Sequence, residues 1–376
     1  MPPHSKISFV APENDPFTIA VKARINAYFR ASGKSRHWNG LMLAKTCFYI
    51  GGLLGCYLAI LSGQFSEPVL LGLCVGMGLF TAGIGFNVGH DAIHGGYSSG
   101  RLLTRIMSHS FTMIGANVYN WNISHNIVHH TYTNIPGADG DLSTVPALRF
   151  SSEAPWKPFH RYQHLYAYIL YALSTLMWVT KKDYRHFFEE KLLIYQKPSR
   201  PPRREYFILF GGKLVYYFMM LVIPALVLDL PVWKIITGFV VMHLAAGAAL
   251  ANVFAMGHMV EGTALRPAGP DGHIHESWAA HQVRTSANFG TRYPHLSNWF
   301  CGGLNFQIEH HLFPRICHVH YPDIAPIVKQ TAAEFGIPYT EFETILAGAR
   351  SHYRWLRHYG AGRRGVQPIP AAPTVP

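Results

Sequence analysis

The stretch 68–94, PVLLGLCVGMGLFTAGIGFNVGHDAIH, joins a long apolar segment directly to a pair of histidines. Its first 22 residues, 68–89, carry no charged side chain. A helix needs about 20 such residues to cross the hydrocarbon core of a bilayer. Comparable apolar segments lie at 46–63, 207–228 and 235–257. The sequence therefore predicts an all-α integral membrane protein whose four transmembrane helices form two hairpins.

The topology depends on the apolar residues 165–180, because this segment is only 16 residues long. If it crossed the bilayer, the basic stretch 181–206 and His258 would lie on the opposite side from the histidine pair. We therefore expect it to lie in the membrane interface, with both termini and most positive charge on one face. The positive-inside tendency makes that face cytoplasmic, in a bacterial inner membrane or the endoplasmic reticulum. Lys213, near the start of the third apolar segment, is expected to extend its ammonium group to the interface.

The polar parts of the chain are expected to form a helical cytosolic cap beside the membrane helices. Residues 1–42 predict an amphipathic cytosolic segment at the membrane surface. Residues 43–364 predict the membrane domain together with its cap. The Pro-rich residues 365–376 predict a disordered tail.

Three histidine motifs carry the chemistry of the chain: HDAIH at 90–94, HNIVHH at 125–130 and QIEHH at 307–311. Histidines four residues apart project from one face of a helix, and neutral imidazole is the commonest metal ligand. Eight imidazoles exceed the four ligands of one zinc ion, but they suit two redox-active first-row metal ions with open positions. The eighth comes from the cytosolic end of the fourth apolar segment. The candidate ligands are His90, His94, His125, His129, His130, His258, His310 and His311.

Four residues beside the motifs are candidates for supporting roles. Asp91 and Glu309 can each hold the second ring nitrogen of a ligating histidine, or can be solvated surface carboxylates. Gln307 takes the place of a third histidine in the last motif, where its amide can bind metal weakly or hydrogen-bond water or substrate. His281, in HQVRTSANFG, is a candidate for supporting a ligand or positioning the substrate.

The remaining histidines are expected to have structural roles. His243 lies in the middle of the fourth apolar segment, where we expect a packed or hydrogen-bonded side chain. The histidines without helical pairing beside an apolar segment are expected at surfaces or helix caps. They are His109, His160, His164, His273, His275, His318 and His320.

Composition narrows the classes of partner. Apolar residues make up 49% of the chain and charged residues 14%, and the formal net charge is +12. Because the basic side chains stand next to apolar segments, this charge favours an anionic membrane surface over nucleic acid. The five cysteines form no close pair, which argues against a disulfide framework. Cys301 and Cys317 flank the third motif and are remote candidates for contact with the metal.

The motifs and their flanks resemble the membrane fatty acid desaturases, specifically the front-end branch (linoleoyl-CoA or delta-6-like). The similar stretches, between residues 5 and 350, are HDAIHGGYS, WNISHNIVHHTYTNIPGADGDL, HQVRTSANFG and NFQIEHHLFPRICHVHYPDIAPIVK. The glutamine at the head of the third motif indicates the front-end branch. The resemblance implies an O2-dependent enzyme that inserts a cis double bond between an existing double bond and the carboxyl end of an acyl chain.

The resemblance also implies a non-haem diiron centre held by the eight histidines, and a long-chain acyl-CoA or acyl-lipid substrate. In related desaturases an asparagine four residues before the equivalent of His258 can hold a metal through water, but this position is Phe254. The His-Pro-Gly-Gly motif of a fused haem domain does not occur in the sequence. Electrons are therefore expected from a separate protein of the ferredoxin or cytochrome b5 type.

Two other functions are consistent with the sequence. A hydroxylase or ketolase would use the same metal centre but would insert oxygen. A metal transporter or sensor would need ligands along the membrane path, whereas only His243 lies deep in an apolar segment. Product analysis separates the first from a desaturase, and metal uptake without oxygen consumption would favour the second.

Overall fold

The computed structural model describes residues 7–10, 15–142, 146–197 and 200–362. These residues fold mainly into helices, and their strands are only two or three residues long. The all-α class predicted from the sequence is therefore confirmed. The predicted disordered tail, 365–376, lies outside the described residues.

Four helices in the described part of the chain are long and apolar enough to cross a membrane. They form the two predicted hairpins and are Gly40–Leu61, Glu67–His94, Arg203–Val227 and Val232–His258. The second and fourth helices pack together at Gly78, where an added Cβ would lie 2.2 Å from the carbonyl oxygen of Met242. Only glycine permits so close an approach. Phe86 and Leu250 continue this contact nearer the histidine-bearing ends of the two helices.

Lys213 lies inside the third membrane helix, and its side chain is 4% exposed. The expected reach of its ammonium group to the interface stays a prediction. Its ammonium donates to a carboxylate oxygen of Asp183 at 2.8 Å and to the carbonyl oxygen of Gly115 at 2.6 Å. Asp183 is 1% exposed. A buried charge is tolerated only with such partners. The pair therefore ties the third membrane helix to the segment that follows residues 165–180.

The segment predicted to lie in the interface forms a series of short helices that is not among the four candidate spans. Its parts are Gln163–Ala172, Ser174–Met177, the π-helical turn Trp178–Lys182 and Asp183–Phe188. It packs on the fourth membrane helix at Gly247, whose Cβ would lie 2.2 Å from the carbonyl oxygen of Ala172. Leu165, Ile169 and Met177 are exposed. Exposed apolar side chains suit an interfacial helix, and this placement stays a prediction.

The cap is built from short helices that follow each membrane hairpin. After the first hairpin they are Arg101–Ser108, Ser110–Met113, Val118–Trp121, the π-helical Asn122–His129, His130–Tyr132, and the 3-10 turns Gly140–Leu142 and Pro158–Tyr162. After the second they are Trp278–Thr285, Pro294–Cys301, Gln307–Leu312, the 3-10 turn His318–His320, Tyr321–Glu334 and Ile345–Gly360. The strand pairs are Ser8–Phe9 with His273–Ile274, Lys191–Leu192 with Tyr195–Gln196, and Ala287–Phe289 with Thr340–Phe342.

The N-terminal helix, Pro16–Ser32, packs into the cap. Its four most buried apolar residues share one core with helices Trp278–Thr285 and Tyr321–Glu334. They are Phe17, Val21, Ile25 and Phe29. The amphipathic pattern thus reflects packing within the cap, and the placement of residues 1–42 at the membrane surface stays a prediction.

Single cysteines at exposed positions will test the topology. In a variant without the native cysteines, Ser99→Cys and Gln196→Cys lie on the cap, whereas Gln64→Cys lies in the turn of the first hairpin. We expect a membrane-impermeant maleimide to label the first two from the same side of sealed vesicles and Gln64→Cys only from the other side. Labelling of Gln196→Cys from the side of Gln64→Cys would mean that the segment 163–188 crosses the bilayer.

Candidate metal centre

π-helical turns position the histidines of the first two motifs. In the second membrane helix such a turn, Gly85–Gly89, ends directly before His90, and a longer one, Asn122–His129, contains most of the second motif. π-helical turns are rare and frequently occur at functional sites. The third motif forms the helix Gln307–Leu312, and His258 is the last residue of the fourth membrane helix. Separate elements thus bring their histidines to the junction of membrane helices and cap.

The first group of histidines combines all three motifs. It consists of His90, His94, His125 and His310, whose ligand nitrogens all lie within 4.8 Å of one another. The Nε2 atoms of His90 and His125 are 3.2 Å apart. None of the four side chains is more than 9% exposed. The group therefore has four nitrogen donors in a space from which water is largely excluded.

The second group adds the histidine at the end of the fourth membrane helix. It consists of His129, His258 and His311, again with ligand nitrogens within 4.8 Å of one another. The Nε2 atoms of His258 and His311 are 3.2 Å apart. All three side chains are buried. The residue added to the motifs on sequence grounds, His258, thus lies in the cluster.

His130 lies between the two groups. Its Nε2 is 3.2 Å from that of His125 and 3.1 Å from that of His310, and its ring stacks on His311. His125 therefore meets the histidine five positions later, because a π-helical turn bonds residue i to residue i+5. His125 and His129 also share one face, as expected, because their rings stack with centroids 5.2 Å apart, although they belong to different groups. All eight candidate histidines nevertheless form one continuous cluster.

The spacing of the ring nitrogens fits bound metal. Two nitrogens that each lie about 2.1 Å from one ion are about 3.0–3.4 Å apart at tetrahedral or octahedral angles. The contacts of 3.1–3.2 Å that involve His125 and His130 have this length. The Nε2 of an uncharged imidazole carries either a proton or a lone pair. The Nε2 of His125 or of His130 therefore cannot form a full hydrogen bond with each of its two neighbours. Among the described residues, His90 Nδ1 and His94 Nε2 are buried without a hydrogen-bond partner. A bound cation would satisfy Nε2 of His94, whereas a cation held by Nε2 of His90 would leave Nδ1 of that ring without a partner.

Burial keeps the clustered rings neutral. It lowers the pKa of His125, His130, His310 and His311 well below the usual value, and charge on neighbouring histidines lowers it further. A neutral imidazole has a lone pair that can bind a metal ion. The cluster is therefore suited to hold cations at neutral pH.

Residues that the sequence did not single out hold outer nitrogens of the second group. His129 Nδ1 lies 3.1 Å from a carboxylate oxygen of Asp139, and His311 Nδ1 lies 2.7 Å from Oε1 of Gln282. Partners of this kind fix the tautomer and orientation of a metal-binding histidine. Asp139 stands shortly after the second motif and Gln282 follows His281. Closeness to motif residues was the only signal in the sequence that could have found them.

Phe254 occupies the position four residues before His258 where related desaturases have an asparagine, and this changes the surroundings of His258. Its Nδ1 donates to the carbonyl oxygen of Thr285 at 3.2 Å. The ring of Phe254 lies 5.1 Å from that of His258 and 5.2 Å from that of His129. An apolar ring thus covers the place from which an amide could reach a metal through water.

Asp91 is bonded to His318 rather than to a histidine of the cluster. Its Oδ2 accepts from the Nδ1 of His318 at 2.8 Å and from the backbone N–H at 3.0 Å. The other ring nitrogen of His318 lies 2.7 Å from the ammonium of Lys45. All three side chains are buried, so neither a solvated Asp91 nor a surface His318 is found. Cys317 groups with Asp91 and His318, and not with the eight histidines.

Glu309 is likewise buried and faces polar residues of the cap. It accepts hydrogen bonds from the Asn288 amide at 2.7 Å and from the Tyr339 hydroxyl at 2.8 Å. Burial raises its pKa to about 7. The carboxylate therefore braces the third motif against the cap instead of holding a ring nitrogen.

His281 supports the cluster indirectly, through Thr133 and Gln282. Its Nε2 donates to the carbonyl oxygen of Thr133 at 2.8 Å. The Thr133 hydroxyl in turn donates to Oε1 of Gln282 at 2.8 Å, the oxygen that faces His311. His281 thus helps to position a partner of the second group.

Six of the fourteen described histidines outside the cluster are buried. His243 is hydrogen-bonded as expected, with its Nε2 2.9 Å from the Tyr216 hydroxyl and its Nδ1 3.1 Å from that of Thr175. His160 and His320, expected at surfaces or helix caps, are 2% and 3% exposed and lie at helix starts. The Nδ1 of His160 accepts from the backbone N–H of Lys157 at 3.0 Å, and His320 is the N-cap of Tyr321–Glu334. Their ring nitrogens lie within hydrogen-bond distance of backbone carbonyl oxygens in the cap, which a local sequence pattern does not show.

Gln307 directs its amide into the second group. Its Nε2 lies 2.7 Å from Nε2 of His258 and 3.4 Å from Nε2 of His311. Its Oε1 is buried and has no partner among the described residues. The two ends of an amide can exchange by rotation, and after rotation the oxygen would face the same point as the two ring nitrogens. Metal binding by Gln307 stays a prediction with this geometry in its favour.

The fold and the site define a helical membrane protein with a histidine-rich metal-binding cluster at the ends of its membrane helices. Residues 66–343 match the fatty acid desaturase family, and the chain belongs to this family. Over 351 residues it is 35% identical to the sn-1 linoleoyl-lipid 6-desaturase of Synechocystis sp., covering 92% of this chain and 95% of the relative.

Two further relatives agree with this membership. The chain is 31% identical to the sn-1 linoleoyl-lipid 6-desaturase of Arthrospira platensis, over 91% of this chain and 92% of the relative. It is 33% identical to the acyl-lipid (8-3)-desaturase of Physcomitrium patens, over 94% of this chain and 74% of the relative. The predicted family and its front-end type are confirmed, and the protein is an oxidoreductase that desaturates fatty acyl chains.

Replacement of a shared ligand will test the cluster. His310 meets histidines of both groups, so we expect His310→Ala to lose at least one of two bound ions while the chain still inserts into membranes. Iron is measured per chain by elemental analysis, and its environment by Mössbauer spectroscopy. The exposed His275→Gln is the matched control and should keep its iron. Parental iron content in His310→Ala would contradict the assignment.

Substitution of Gln307 will show whether its amide acts at the site. An imidazole is a stronger ligand than an amide oxygen, so Gln307→His should alter the Mössbauer spectrum of the iron and the rate or position of desaturation. Gln307→Ala removes the contacts to His258 and His311 and should alter the spectrum differently. Parental spectra and products in both variants would show that Gln307 has no role at the metal.

Proposed function

We propose that the protein is an O2-dependent front-end desaturase with a diiron centre, and that residues 43–364 form its catalytic domain. The single observation that carries this proposal is that seven of the eight buried imidazoles form two adjoining groups, while the eighth, His130, groups with His310 and His311, one from each. Two groups with a shared neighbour, His130, provide donors for two ions side by side. A cluster without thiolate or carboxylate donors leaves room for oxygen at a redox-active metal.

The residues that would hold the ions follow from the two groups. His90, His94, His125 and His310 would hold one ion, and His129, His258 and His311 the other. His130 would complete whichever site it faces. When bound, the iron ions supply an oxidant, formed from dioxygen, that removes hydrogen from unactivated methylenes.

The overall reaction is balanced by an external reductant. A –CH2–CH2– unit, O2, two electrons and two protons become –CH=CH– and two molecules of water. The protein keeps the cluster dry, because none of the eight rings is more than 9% exposed. Asp139 and Gln282 hold rings of the second group in place. A separate one-electron donor of the ferredoxin or cytochrome b5 type is proposed as the source of electrons.

The substrate is proposed to be a long acyl chain that already carries a double bond. Two relatives are named as linoleoyl-lipid desaturases and a third as an acyl-lipid desaturase, which favours a lipid-linked chain over acyl-CoA. The basic segment 181–206 belongs to the cap, so we place the cap on the cytoplasmic face of a bacterial inner membrane or the endoplasmic reticulum.

Fatty acid analysis in a heterologous host tests the proposed function. A host without its own front-end desaturase is fed linoleic acid, and methyl esters of its lipids are separated and located by mass spectrometry. We expect a third double bond on the carboxyl side of the existing ones, and none with His310→Ala. Separate analysis of the acyl-CoA and lipid pools at early times identifies the carrier. Hydroxylated or keto products would instead support the alternative oxidation, and the absence of any new product would contradict both.

A further inference from the structure

A row of stacked rings leads away from the cluster at His125. The indole of Trp121 stacks on the His125 ring, with centroids 4.5 Å apart and an interplanar angle of 24°. The indole of Trp178 stacks on Trp121 at 5.1 Å and 20°. Because the Nε2 of His125 faces other histidines of the first group, the inner end of the row lies at the candidate metal centre.

The outer end of the row lies beneath basic side chains. Trp178 is half-buried, and the ammonium of Lys182 lies 5.9 Å from its ring centre. Lys181 and Arg185 are exposed nearby in the sequence. The segment 181–205 contains eight Lys or Arg against four Asp or Glu. The row thus leads from the cluster to the basic residues at the end of the segment 163–188.

A buried polar clamp holds the two indoles against each other. One carboxylate oxygen of Asp183 accepts from Nε1 of Trp178 at 2.9 Å, and the other accepts from Lys213 at 2.8 Å. Asn120, the neighbour of Trp121, donates to the backbone oxygen of Asp183 at 2.7 Å. A buried ion pair often adds little to stability. Its bonds to the stack indicate instead a role in positioning the rings.

We propose that Trp178 and Trp121 form the route by which electrons enter the metal centre through His125. The basic residues Lys181 and Lys182 at its outer end bind a donor with an acidic surface. Such a donor is steered to a basic patch by long-range attraction. The inference rests on the proposed function, because that reaction needs two electrons from outside the chain.

The two electrons needed for each double bond are delivered in two identical encounters with the one-electron donor. In each, the donor is oxidised by one electron and one ferric ion becomes ferrous. Electron transfer slows steeply with distance through protein, so contacting aromatic rings shorten the effective gap between the donor and His125. The indoles are unchanged at the end of each encounter.

The test measures reduction of the iron directly. Full-length, iron-loaded protein in lipid nanodiscs is mixed without oxygen with reduced plant-type [2Fe–2S] ferredoxin, whose absorbance reports its own oxidation. The soluble haem domain of cytochrome b5 is run in parallel, and the faster donor is used. Dithionite with methyl viologen reduces the same iron as a small reagent. The rate of iron reduction by the protein donor is divided by the rate with dithionite and methyl viologen, each expressed per bound iron. This ratio is compared among variants.

We expect Trp178→Leu to lower this ratio strongly, and Trp178→Phe, which keeps a ring, to lower it less. The matched control Trp233→Leu changes an exposed tryptophan at the end of the fourth membrane helix remote from His258 and should leave the ratio unchanged. The double variant Lys181→Gln/Lys182→Gln should associate with the donor about tenfold more slowly at low salt, and the difference should vanish at high salt.

Several outcomes would overturn the proposal. A parental ratio in Trp178→Leu rules out the route, and changed product positions with a parental ratio would mean that the ring contacts the acyl chain instead. If the double lysine variant is slow only in anionic nanodiscs, the patch binds lipid and not the donor. Failure of the proposed function would look different: the parent would be reduced normally yet form no alkene.

Discussion

Eight uncharged imidazole rings packed at a largely dry junction impose the constraint on which the rest of the structure depends. Buried polar nitrogens need partners, yet Nε2 atoms of these rings converge on one another instead of each meeting a separate acceptor. Each helix that carries one of these histidines must therefore end, or change to π-helical geometry, at the same depth. The π-helical turns before His90 and through the second motif meet this need, as does the end of the fourth membrane helix at His258.

The two groups of histidines are supported in different ways. Rings of the second group are held by hydrogen bonds to Asp139, Gln282 and a backbone carbonyl. In the first group, His125 is held by the face of Trp121, and His90 Nδ1 has no partner among the described residues. A carboxylate partner makes a ligating imidazole more basic. Two ions bound here would therefore differ in how easily each is reduced.

The membrane helices and the cluster could be read from the sequence because both depend on short-range patterns. Long charge-free segments mark the helices, and repeated histidines beside them mark the site. Polar contacts between distant positions could not be found this way: Asp91 and His318 are 227 positions apart. The π-helical register of His125 was also missed, because a spacing of four residues looks the same in either kind of helix. Burial of Lys213 depended on Asp183 in another element.

The packing of the N-terminal helix has a consequence for biosynthesis. Helix Pro16–Ser32 shares a core with Tyr321–Glu334, and strand Ser8–Phe9 pairs with His273–Ile274. The N-terminal helix and strand therefore cannot complete their packing until the C-terminal part of the cap has been synthesised. The first two motifs emerge from the ribosome well before His310 and His311. The full set of eight imidazoles therefore exists only once residue 311 has been synthesised, and a prematurely terminated chain would expose an incomplete set to whichever metal is most competitive.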